Sequence, residues 1–238
     1  MDNAGYTSLT RQSGLMREMQ MIAHNIANAS TGGFRSKGMV FSEFVKKLDG
    51  GAPSLSMASG NAHFTSDLQG GMEQTGGSFD FAIEGPGYFL VETPDGEALT
   101  RAGNFTPSAE GELVTPDGLR VLDAGGAPIF IPPDATGLAV ASDGTVSADG
   151  RPLARIGVWQ PSDPNDLSRR EGVLFDVTAP PIPVENGVIL QGFLEKSNVD
   201  PIYQIARMIQ VQRAYELGQS FLEKEDGRIR NVLSTLSR

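Results

Sequence analysis

The chain has 238 residues, 39% of them hydrophobic, no cysteine and a formal net charge of −10. That is enough apolar material for one large domain or two small ones, and the lack of cysteine excludes disulfides, thiolate metal sites and a cysteine nucleophile. Residues 1–47 carry six Lys or Arg against three Asp or Glu and residues 199–238 six against five, which leaves seven against 21 between them; the acidic middle argues against nucleic-acid binding.

No run reaches the roughly 18 apolar residues that cross a bilayer, so no direct membrane insertion is expected. The opening MDNAGYTSLTRQ has neither the basic nor the apolar region of a secretory signal, and export through the general pathway is not expected either.

In chain order, residues 1–33 predict an N-terminal helix. Leu9, Met16, Met19, Ala23 and Ile26 alternate by threes and fours with Gln12 in the remaining place, an amphipathic stripe. Gly5 and Gly14 each cost about 1 kcal/mol relative to Ala, so this helix needs a partner. Asn25 and Asn28 in HNIANASTGGFR (24–35) are poor helix-interior residues, because their amides compete for backbone hydrogen bonds. Thr31, Gly32 and Gly33 then end the helix, the glycines supplying positive φ, and Phe34 packs behind the turn.

Residues 34–70, with GGAPSLSMASGN inside, read as an extended linker. Residues 71–195 read as an all-β domain. Pro-Asp-Gly at 94–96 and 116–118, Asp-Gly at 143 and 149 and Asn-Gly at 186 punctuate the β-rich runs GYFLVE, LRVL, IFI, LAVA and RIGVWQ, and such dipeptides are strong hairpin signals.

Residues 196–238 predict the C-terminal helix, with Ser197 or Asp200 as N-cap and Pro201 as the first helical residue. Its apolar stripe runs through Ile202, Ile205, Met208, Ile209, Val211, Tyr215 and Leu222 to Ile229, Leu233 and Leu236, over a length of about 55 Å. The expected class is α+β: long amphipathic terminal helices packed together as a coiled-coil-like core, plus a central all-β domain that is a distorted barrel or sandwich of hairpins.

Catalytic chemistry finds little support. His24 and His63 are the only histidines, and neither has the spaced partners of a zinc site or a triad. Glu110 with Glu112, and Asp143 with Asp149, imitate paired acids but fall in turn signatures. GPGYFL at 85–90 lacks the third glycine of a phosphate loop and precedes a β-rich run. Asn28-Ala29-Ser30 and Asn104-Phe105-Thr106 fit a glycosylation pattern that chance supplies in most chains of this length. No catalytic, cofactor or metal site is expected.

Three stretches together resemble the bacterial flagellar rod and hook proteins. NIANASTGGF (25–34) matches an N-terminal signature at Asn28, Thr31, Gly33 and Phe34. Residues 75–122 are similar to a central block, with Asp80, Ile83, Gly85, Gly87, Phe89, Thr100, Arg101, Gly103, Phe105, Gly111, Leu113 and Gly118 in place. Residues 192–219 resemble the C-terminal signature at Leu194, Glu195, Ser197, Asn198, Val199, Gln212, Arg213, Tyr215 and Glu216. Within the family, the opening is most similar to the proximal rod type. The sequence departs from the pattern at Ile205-Ala206 and after Leu222.

The resemblance implies a structural, non-enzymatic subunit of the basal-body rod, the shaft that transmits torque across the periplasm. It implies type III export without a cleaved signal, and as partners copies of itself, other rod proteins and the export apparatus. It also implies helical assembly through terminal helices, with Leu9, Met16, Met19, Asn25, Ile26, Asn28, Thr31, Gly33, Phe34, Ser197, Asn198, Val199, Ile205, Ile209, Gln212, Arg213, Tyr215 and Leu222 as interface residues. On this reading Asn25 and Asn28 set an interfacial register; an ordinary C-cap is the alternative. Arg213 either forks to an acidic group of a neighbouring copy or snorkels to solvent. The other functions open at this point are a distal rod subunit, or an extracellular glycan-binding β domain with oligomerising termini.

Overall fold

Asp200 opens the C-terminal helix: its Oδ1 accepts the amides of Ile202 at 2.9 Å and Tyr203 at 3.1 Å, while Ser197 Oγ accepts only the Val199 amide. Pro201 is therefore the first residue of α2 (Pro201–Leu236), where its missing N–H costs nothing. The N-terminal helix α1 is Asn3–Ala27. These elements come from a computed structural model that describes residues 3–46, 55–135, 137–163, 166–170 and 172–236. The GGAPS part of the expected linker (50–54) and the outermost residues of both expected helices lie outside them.

The chain divides into two compact units, one of Met1–Ala27, Lys37–Ser66 and Asp200–Arg238, the other of Asn28–Ser36 and Asp67–Val199. In the helical unit, α1 packs against α2 and against a ribbon of two antiparallel strands, β1 (Lys37–Lys46) and β2 (Leu55–Thr65). Much of the segment read as a linker is thus paired backbone, with a bulge at Val40/Phe41.

Among the described residues the terminal helices do not form the expected coiled-coil-like core. Only Val211 of α2 is buried, and the helices run antiparallel, with Glu18 at Arg207 and Gln12 at Tyr215. The buried face of α1 is Gly14, Glu18, Ile22 and Asn25, whereas Leu9 and Met16 of the expected seam are exposed. The helical period is as read, but the covered face is the neighbouring, more polar one. Small and polar groups make the contact: a Cβ on Gly218 would lie 3.1 Å from Gln12.

The hydrophobic core lies in the β-rich unit. Its largest sheet is antiparallel, in the order Ser168–Arg169, Leu174–Asp176, Gly96–Thr100, Phe89–Thr93, Arg120–Val121, Leu113–Val114, Thr106–Pro107. Phe81, Ile83, Phe89, Val91, Phe105, Leu113 and Ile189 fill one side, with Phe89 edge-on to Phe105 at 5.2 Å. A second cluster joins Tyr88, Leu90, Leu99 and Phe175.

The turn signals mostly act as read. Pro94-Asp95 closes the 89–100 hairpin, and Asp149-Gly150, with φ of 50° and 75°, closes that of Thr145–Ala148 with Arg151–Arg155. Asn186-Gly187 does not close a hairpin: Ile182–Pro183 pairs with Trp159–Gln160, and Val188–Gln191 with Phe81–Glu84. IFI (129–131) forms only an isolated bridge at Phe130.

Candidate functional site

Asn25 ends α1 by a contact within the chain. Its side-chain amide donates to the Lys37 carbonyl and accepts from the Lys37 amide, both at 2.9 Å, so it mimics a strand neighbour for the first residue of β1. It is fully buried. Because removal leaves both Lys37 backbone groups without this partner, Asn25→Ala is expected to destabilise the helical unit by about 1–3 kcal/mol. Amide exchange of α1 in wild type and variant measures it; unchanged protection would mean that the pair is dispensable.

In the β-rich unit the N-terminal and C-terminal signatures meet. Gly33, at φ +70°, donates its amide to the Glu195 carbonyl at 2.7 Å. Asn198 Oδ1 accepts the Ser36 amide at 2.6 Å, its Nδ2 donates to the Leu68 carbonyl, and its own amide donates to the Phe34 carbonyl. Asn28 and Thr31 bond to each other through backbone and side chains. Phe34 is fully buried, with the Arg169 guanidinium 4.4 Å above its ring. Val199 is buried as well.

Beneath these signatures lies a buried charge cluster. Glu195, 1% exposed in its side chain, is 3.0 Å from Arg35 through Oε1 and 3.0 Å from Arg101 through Oε2. The Gly70 amide donates to Oε1 at 2.9 Å. Arg35 also donates to the carbonyls of Asp67 and Leu68, and Arg101 to those of Ile83 and Gly85. Arg169 donates to the Arg35 carbonyl, and burial pulls its guanidinium down to about 10. Arg101 and Glu195 belong to the matched stretches and Arg35 directly follows the first of them, but nothing local in the sequence marks the three as one ion cluster.

Tyr88 flanks this cluster, with Arg101 5.4 Å from its ring centre. Burial raises its phenol above 10.0, against the pull of Arg35 and Arg101; Asp67 and Glu195 push the same way as burial. Between pH 10 and the raised value the folded state keeps a proton that the unfolded chain releases, so stability falls as pH rises through that window. Tyr88→Phe is expected to flatten this loss. Urea midpoints of both proteins on either side of pH 10 test it, and parallel losses would refute the assignment.

On the helical unit, Leu9, Met16, Ile202, Ile205, Ile209, Leu217 and Phe221 are exposed apolar side chains, Ile205 50% and Ile209 45% exposed. Met19, Ile26, Tyr215 and Leu222 are half-buried. Gln212 bonds to Glu216 of its own helix at 3.0 Å, and Arg213 is exposed. Between the two helices of the one chain, the polar pairs are Glu18 with Arg207 at 2.6 Å and Gln12 with the Tyr215 carbonyl. Glu18 lies outside the apolar stripe read from the sequence, and no local signal marks the first of these pairs.

Residues 82–148 match the family model described as flagellar hook protein FlgE/F/G D1 domain, and residues 190–235 that of the flagellar basal body rod FlgEFG protein C-terminal region. The chain is 42% identical to the flagellar basal-body rod protein FlgF of Caulobacter vibrioides, over 91% of this chain and 90% of that protein. It is 35% identical to FlgF of Rhizobium meliloti, over 97% and 96%. Against the flagellar basal-body rod protein FlgG of Bacillus subtilis the identity is 31%, over 93% and 94%.

Proposed function

This chain belongs to the flagellar basal-body rod protein family, and from that premise we propose that it serves as a proximal rod subunit, built into the shaft that carries torque across the periplasm. It is a structural protein and not an enzyme. The higher identity to relatives named FlgF than to one named FlgG supports the proximal over the distal reading. Its partners are copies of itself and other rod proteins, and it reaches the periplasm through the flagellar type III apparatus. Among the described residues no helix is long and apolar enough to cross a membrane.

The observation that carries the assembly reading is the row of apolar side chains left exposed on α1 and α2 while the β-rich unit buries a complete core. Isolated exposed apolar residues are ordinary, but a helical row of them marks a surface that another element covers. Leu9, Met16, Met19, Ile26, Ile205, Ile209, Tyr215 and Leu222 would lie in or beside that surface, while Asn28, Thr31, Gly33, Phe34, Ser197, Asn198 and Val199 make their contacts within the β-rich unit. Gln212 and Arg213 remain available to a neighbouring copy.

The test is the double substitution Ile205→Asp/Ile209→Asp. Two charges on an interface that needs apolar anchors should weaken association at least ~10-fold and abolish swimming, with the thermal midpoint of the purified chain unchanged. Normal motility and normal recovery of the variant in basal bodies would overturn the assignment of this face.

A further inference from the structure

Beside the charge cluster, within the β-rich unit, is a cavity of about 340 Å³ lined by Arg35, Arg101, Tyr88, Leu167, Ile182 and the rim residue Asp67, among others. Arg35 and Arg101 are 2% and 3% exposed in their side chains, and each has a buried Nε without a hydrogen-bond partner. Both terminal nitrogens of each are engaged, so the Nε edges are the donors left over.

The charge balance points the same way. Three guanidiniums, of Arg35, Arg101 and Arg169, meet in one buried neighbourhood, and among the described residues Glu195 is the one buried carboxylate there. Tyr88 does not supply a second anion at neutral pH, since its phenol is held protonated. Asp67 is exposed at the rim. Buried positive charge in excess of its counterions is costly, and a guanidinium edge matches a planar carboxylate in geometry.

We propose that this cavity binds a carboxylate carried on a short apolar body, the anion against Arg35 and Arg101 and the body against Tyr88, Leu167 and Ile182. The carboxylate comes either from a small organic acid or from an acidic side chain of a second copy of this chain, and the two sources share one recognition chemistry. The site uses none of the exposed apolar residues of α1 and α2, and its test does not depend on motility.

The experiment is a titration of the full-length chain with benzoate, reading the Nε–Hε signals of Arg35 and Arg101 by NMR, with benzamide as the neutral analogue. Benzoate is expected to move both signals to saturation, and benzamide is not. Ser162→Trp, which narrows the mouth without touching the cluster, should weaken the response at least ~10-fold, and Asp67→Asn should strengthen it by removing a like charge. A protein concentration series without benzoate separates the sources: shifts that grow with concentration and are reversed by benzoate identify a second copy, and their absence identifies a free acid. Equal responses to benzoate and benzamide, or no movement of either arginine signal in both series, would overturn the proposal.

Discussion

Glu195→Gln is expected to lower the stability of the β-rich unit by about 3–5 kcal/mol, the range for breaking a buried ion pair from one side. The carboxylate is almost wholly buried and has three partners: Arg35, Arg101 and the Gly70 amide. Gln is nearly isosteric, so the loss comes from charge. Two guanidiniums lose their shared counterion, and one of them faces an amide nitrogen that cannot accept. Trp159 is the sole tryptophan and lies in this unit, so urea unfolding followed by its fluorescence reads the change directly. With an m-value of about 2 kcal/mol/M the midpoint should fall by about 2 M. A fall of less than about a quarter of that would mean that the arginines find other partners and that Glu195 is not the counterion on which the cluster depends.

Gly33→Ala is expected to cost the same unit about 2–4 kcal/mol. Two independent constraints meet at this residue. Its φ of +70° is strained for any residue with a Cβ, and a Cβ built there would stand 2.3 Å from the Ala102 amide nitrogen and 2.4 Å from the Arg101 carbonyl carbon. Backbone cannot yield as a side chain can, so the turn must move and the 2.7 Å bond from Gly33 to the Glu195 carbonyl is lost with it. Gly76→Ala supplies the contrast: its φ is +72°, but nothing lies within 4 Å of the built Cβ, so only the conformational part, about 1–2 kcal/mol, should appear. Equal losses in the two variants would show that close packing against Ala102 contributes nothing.

These two predictions share an origin. The polar run after α1 does not act as a plain helix terminator. Its first asparagine, Asn25, closes the helical unit against Lys37, and its glycine and phenylalanine bring Arg35 into the β-rich unit, beside Glu195. Asn198, after Glu195, then accepts the Ser36 amide. The two signatures, some 160 residues apart in sequence, therefore form one junction inside the β-rich unit. That is a packing reason for residues otherwise attributed to contacts between subunits.

Local chemistry was legible from the residues alone. The helical periods of α1 and α2, the start of α2 at Pro201, the glycine exit at Gly33 and the Asp-Gly hairpins follow from interactions within a few residues, which act the same way in any fold. The three motif blocks likewise identified the family that the relatives establish. Tertiary structure decided which face of α1 is covered, that part of 34–70 pairs as a ribbon, that Asn186-Gly187 links strands with different partners, and that Arg35, Arg101 and Glu195 share one site. Each depends on groups far apart in the chain. An apolar stripe states that a helix is amphipathic, but a buried Glu18 becomes affordable only where Arg207 arrives opposite it, and no local pattern records that arrival.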